Sequence, residues 1–132
     1  MLLARVAEAV YWAGRYLERV EDMSRIVQVH GDTHVDLPVG ADVGWAPLLA
    51  IAGVEAGFAD RARYPGRGVT STSEVARVTE TSVVDFVVMD RDNPSSILSS
   101  LAAARDNLRV GRPVVPREVW ELSNELWFAL SA

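Results

Sequence analysis

Leu3, Val6, Val10, Ala13, Leu17, Val20, Ser24 and Val27 follow one another near the start of the chain in alternating steps of three and four. That spacing draws a single seam down an α-helix and gives a strand no consistent face. Ala9, Trp12, Tyr16 and Met23 widen the seam until the apolar arc covers nearly half the helix, so the element must pack against more than one neighbour. The pattern predicts a helix from about Leu3 to about Val29, stopped by Gly31 as the chain turns away.

A second seam on the same helix is made of charges. Glu8, Tyr11, Arg15, Glu18, Asp22 and Arg25 fall in one band at about 100° per residue. Arg15 with Glu18, Arg19 with Asp22, and Glu21 with Arg25 stand three or four apart, where opposite charges meet on a helix. One account is a solvated face laced with ion pairs, each worth under about 1 kcal/mol. The other is a polar row held in a sheltered cleft. Tyr11 inside the band, Trp12 beside it, and the like charges Glu18 and Asp22 four apart all resist the first account.

The rest of the chain also reads as helical. "HGDTHVDLPVGAD" is expected to be a loop. From about Val43 to Arg61, Trp45, Leu48, Leu49, Ala52, Ala56 and Ala59 keep one helical face apolar. A polar loop, "RYPGRGVTSTS", offers Thr72 or Ser73 as the next N-cap. "EVARVTETSVVDFVVMD" has a β-branched run that would suit a strand, but no second strand candidate exists to pair with it, so helix is favoured. Asn93 as N-cap, Pro94 at the first helical position, and Ser95 and Ser96 in the first turn open a fourth helix. Its seam is Ile97, Leu101, Ala104 and Leu108, and Gly111 and Pro113 end it. Pro116 starts a fifth, with Val119, Leu122, Leu126 and Leu130 inward. Leu126, Trp127, Phe128 and Leu130 then arrive at the end without a glycine cap, as expected where more chain follows. The fold class is all-α, a bundle of about five helices forming one domain over residues 1–132.

Composition sets outer bounds. A chain of 132 residues that is 49% hydrophobic can build one core. A net charge of −5 argues against wholesale binding to nucleic acid or anionic membrane. Without cysteine there are no disulfides or thiolate metal sites. "MLLARVAEAV" lacks the features of a signal peptide, and the charge-free run over residues 43–54 is shorter than the roughly 20 residues of a membrane span. A soluble, cytoplasmic protein is expected. All the basic residues are arginine; a GC-rich genome accounts for that more simply than anion recognition does. His30, Asp32, His34 and Asp36 alternate, and in extended chain all four would reach one side and could hold a divalent metal. Asp-rich loops are common, however, and no metal is assigned.

Three stretches carry a resemblance: "RVAEAVYWAGRYLERVEDMSRIV", "DRDNPSSILSSLAAARDNLR" and "EVWELSNELW". In order and wording they resemble the Alpha-E family, helical bacterial proteins marked by charged motifs. Family members are about twice as long, so the resemblance implies that this is the N-terminal portion. It also implies partners: a circularly permuted ATP-grasp protein, and often a transglutaminase-like protein, in ATP-dependent formation of amide or peptide-like bonds. The chain has no Gly-rich phosphate loop, so no ATP or other cofactor is assigned to it. Carried onto this sequence, the first motif stresses the charged row and weighs toward an inward polar site. Glu8 or Glu18 would act as general base toward an amine, while Arg15 and Arg19 hold a carboxylate or phosphate. The second motif matches at Asn93, Ser95 and Ser96, where a helix N-terminus could take an anion, and at Arg105 and Arg109, which share a face with Arg112. The competing accounts are a well-made cap and a solvated arginine row. The rival class of function is a non-catalytic helical adaptor or oligomerisation module.

Overall fold

The structure, a computed structural model, describes residues 1–63 and 78–132. The order is α1 (Leu2–Asp36), α2 (Ala46–Ala52), α3 (Glu55–Arg63), α4 (Glu80–Val84) running into a π-turn over Asp85–Met89, α5 (Ile97–Gly111) and α6 (Arg117–Ser131). No strand occurs among the described residues, and the all-α class holds. Thr72 and Ser73 lie outside them.

The long seam forms its helix, but Gly31 does not end it. A glycine inside a helix costs only about 1 kcal/mol, and contacts further along hold the last turns in place. His30 Nε2–H donates to the Gly44 carbonyl at 2.9 Å. The His34 ring stacks on Trp45 with centroids 4.7 Å apart. Helix α1 stops at Leu37, which turns extended (φ −67°, ψ 143°) because Pro38 disfavours helical backbone in the residue before it. At 1.5 Å per residue α1 is about 50 Å long, and it is the spine of the molecule. Half of "HGDTHVDLPVGAD" is therefore helix and not loop.

The helix expected over residues 43–61 is two. Gly53 takes a left-handed conformation (φ 68°), and its N–H returns to the Ala50 carbonyl, which ends α2 in the manner of a glycine cap. The apolar face continues across this break, so periodicity alone did not show it. Of the stretch whose β-branched run would also suit a strand, the part described is helical over residues 80–89, as expected, and residues 74–77 lie outside the described ones. Thr79 opens α4 with a capping box: its Oγ1 accepts from the Ser82 N–H at 3.2 Å, while Ser82 Oγ accepts from the Thr79 N–H at 3.0 Å.

Leu48, Leu49, Val54, Phe58, Val83, Phe86, Val87, Ile97 and Leu101 form the core with Val20 and Met23 of α1. The most extensive helix contact is α1 against α5. Small buried residues permit it, Ala9 and Ala13 on α1 and Ser100, Ala104 and Gly111 on α5. A Cβ at Gly111 would stand 2.9 Å from Val10 Cγ2 and 3.3 Å from Val115 Cγ2. A Gly111→Val substitution is therefore expected to destabilise the fold by about 1–3 kcal/mol through overpacking, read as a lowered urea midpoint. An unchanged midpoint would mean that α1 and α5 are not in close contact there.

Helix α6 is rotated from its expected setting. Leu122 and Leu126 are exposed, and Ser123 is buried instead. Arg105 fixes the rotation: its Nε and Nη2 donate to Asn124 Oδ1 at 3.0 and 2.7 Å, and its guanidinium lies 4.8 Å from the Trp127 ring centroid. These contacts turn the Asn124–Trp127 side toward α5 and leave Leu122 facing outward.

Candidate functional site

The charged row of α1 does not lie in an enclosed cleft. Glu8, Tyr11, Arg15, Glu18, Arg19 and Asp22 are all exposed, which corrects the expectation of a sheltered ridge. The physical reason is the seam itself: Val6, Ala9, Ala13, Val20 and Met23 are the residues α1 buries, and this turns the ionic band toward solvent.

Part of that band nevertheless borders a concavity. Arg15, Glu18, Arg19 and Asp22 share with Trp12, Tyr16, Met23, Ile26, Ile51 and Ala52 an open groove of about 250 Å³ between α1 and α2. Glu8 stands outside it. Trp12 and Tyr16 are neighbours there, with ring centroids 6.1 Å apart, and Trp12 also meets Tyr11 edge-on at 5.4 Å. Trp12 is 45% exposed and Ile51 65%, so the groove presents apolar surface to whatever enters it.

The charges along the groove are not equivalent. Arg15 Nη1 donates to Glu18 Oε2 at 2.7 Å, and Arg25 pairs with Glu21 at 2.5 Å. The third pair expected from spacing, Arg19 with Asp22, does not form. Glu18, named above as a base, and Arg15, named as an anion ligand, thus occupy each other. Asp22 belongs to the charged band but not to the residues expected to act there, and what marks it out is that it has no ion-pair or hydrogen-bond partner among the described residues.

The second motif is an internal knot. Asp90 is buried and pairs with Arg61 of α3, while its Oδ1 accepts from the Asp92 N–H at 2.9 Å. Asn93, also buried, donates from Nδ2 to the Phe86 carbonyl at 2.9 Å and accepts the Ser95 N–H on Oδ1 at 3.0 Å. Phe86 lies within the π-turn, where Asp90 N–H reaches back to the Asp85 carbonyl. The N-cap of α5 is Ser96 and not Asn93, with Ser96 Oγ accepting from the Ser99 N–H at 3.1 Å. Asn93 shapes the turn before the cap. The Ser95, Ser96 and Ser99 N–H groups thus bond within the turn, an arrangement that holds chain segments together.

The arginine row on α5 disperses. Arg105 is bound to Asn124 and Trp127, Arg109 lies 3.7 Å from Asp106 on the surface, and Arg112 rests 5.2 Å from the Trp120 ring centroid. His30, Asp32, His34 and Asp36 are helical, so they do not reach one side together. His30 and His34 face Trp45, and Asp32 and Asp36 are exposed. Among the described residues no group of three or more His, Asp or Glu is placed to hold a metal, and no helix is long and apolar enough to cross a membrane.

The family model of Alpha-E, described as a predicted alpha-helical domain with a conserved ER motif, matches residues 2–132. In this chain the Glu-Arg dipeptide occurs once, at Glu18 and Arg19 on the rim of the groove. No curated protein and no solved structure gives a significant match.

Proposed function

The chain belongs to the Alpha-E family, and from that premise we propose that it is a partner or accessory component of an ATP-grasp amide or peptide ligase system. The groove beside α1 would be its working surface. The observation that carries this reading is the placement of Glu18 and Arg19: the one Glu-Arg dipeptide borders a concavity that combines exposed aromatics with ionic side chains. The ligase partner, and a transglutaminase-like protein with it, come from the family resemblance. Whether the chain contributes catalytic groups of its own is part of the test.

The test is reconstitution with the circularly permuted ATP-grasp partner, following ADP release and complex formation separately. Arg15→Met and Glu18→Gln remove only a surface pair whose side chains are each 58% exposed, so stability is expected to fall by under about 1 kcal/mol. The ligase reaction is expected to fall by roughly tenfold or more, the equivalent of about 1.4 kcal/mol. Loss of turnover with an intact complex supports a working site, and loss of the complex supports docking. Full activity in both variants would remove the groove from the reaction.

One observation favours the adaptor reading as a second choice. On α6, Leu122 and Leu126 stand four residues apart on one side of the helix and are 64% and 41% exposed, an apolar surface of the kind used for docking. Leu122→Asp would weaken association on that reading and leave ligase turnover untouched.

A further inference from the structure

We propose that the groove beside α1 binds a free α-amino acid with an apolar side chain, its carboxylate on Arg19 and its ammonium on Asp22. This inference rests on the groove being the working surface of the protein, and it assigns the class of ligand that surface takes.

The argument begins with what the other charges are doing. Arg15 is engaged by Glu18, and Arg25 by Glu21. Arg19 and Asp22 alone on the charged rim have no ion-pair or hydrogen-bond partner among the described residues. They are of opposite sign and three residues apart, a spacing that puts their Cβ atoms about 5–6 Å apart. At that spacing they can close on each other, as Arg15 and Glu18 do, yet they stay open. An unpaired cation and an unpaired anion side by side match a ligand whose own opposite charges sit on one tetrahedral carbon. The guanidinium offers a planar pair of N–H donors to a carboxylate, and the Asp22 carboxylate accepts from an ammonium.

The apolar wall fixes the rest of the ligand. Trp12, Tyr16, Met23, Ile26 and Ile51 line the same groove, so a side chain leaving the zwitterionic carbon meets hydrocarbon and aromatic surface. The groove, about 250 Å³, is smaller than the roughly 300–1,000 Å³ of sites for drug-sized ligands. A ligand of amino-acid size suits it. The termini of a peptide lie too far apart to use Arg19 and Asp22 together, and a simple anion would leave Asp22 facing it with like charge.

The test is an NMR titration of the full chain with L-phenylalanine, N-acetyl-L-phenylalanine and L-phenylalaninamide, following the indole N–H of Trp12. L-phenylalanine is expected to shift it saturably with a Kd near about 1 mM, and each capped analogue to bind roughly tenfold more weakly. Arg19→Gln is expected to erase the preference for L-phenylalanine over its amide. Asp22→Asn is expected to erase the preference over the N-acetyl form. Arg117→Gln, a change on α6, should preserve both. Dispersed spectra of each variant establish that it is folded. No shift of Trp12 at about 10 mM ligand, or variants that keep both preferences, would overturn the assignment. Amino-acid binding without any effect on the ligase would keep this site and remove the partner reading. Ligase coupling without amino-acid binding would do the reverse.

Discussion

Replacing Asp90 with alanine is expected to lower the unfolding free energy by about 3–5 kcal/mol, the usual effect of removing one member of a buried ion pair. The Asp90 side chain is 3% exposed and that of Arg61 is 21%, so the guanidinium left behind cannot recover full hydration. The same carboxylate accepts the Asp92 N–H, and losing it also frees a backbone donor in the turn before α5. The measurement is urea unfolding of Asp90→Ala beside Asp90→Ala/Arg61→Met. The double variant should recover part of the loss, because an apolar pair can replace a buried ionic one at little net cost. A single variant within about 1 kcal/mol of the parent would mean that the pair is open to water and does not join α3 to the turn.

Leu101→Ala should be nearly as damaging, at about 2–5 kcal/mol. Leu101 is fully buried on α5 and belongs to the cluster formed with Val20, Met23, Val83, Phe86 and Val87. Truncation there leaves a cavity where α1, α4 and α5 meet, and neighbours fixed in three helices collapse poorly into it. Leu101→Met keeps most of the volume and is expected to cost under about 1.5 kcal/mol. If alanine and methionine give the same thermal midpoint, the site is loosely packed and the core lies elsewhere.

The sequence made some of this legible and hid the rest for definable reasons. The heptad seam identified α1 because its apolar residues repeat over many turns, and local periodicity suffices for such an element. The continuation of α1 past Gly31 was hidden because Trp45, which supports His30 and His34, is remote along the chain. The break at Gly53 was hidden by an apolar face that carries on across it. The orientation of α6 depended on Arg105 reaching Asn124 and Trp127, a choice between faces that the helix alone leaves nearly balanced. Asp90 was visible as part of a motif, but its partner Arg61 stands 29 residues earlier, and spacing says nothing at that range.

The candidate site divides in the same way. Charges and aromatics on α1 could be read directly, and so could two of the three ion pairs, since an i, i+3 or i, i+4 contact is a local matter. That Arg19 and Asp22 stay apart could not be read. Nor could the part played by Ile51 and Ala52, which come to the groove only when α2 packs beside α1. The capping chemistry of Asn93, Ser95 and Ser96 was recognisable in outline, but which residue serves as the cap depended on the turn that Asn93 makes with the Phe86 carbonyl.

Because α1 is one uninterrupted rod, its buried and hydrated sides share a single angular phase. Adding or removing one residue between Ala13 and Val20 would twist everything beyond by about 100°, carrying ionic side chains into the interior and aliphatic ones out to water. Selection on either side of the rod is therefore selection on the register of the other, and point substitutions are the only changes this segment can readily absorb.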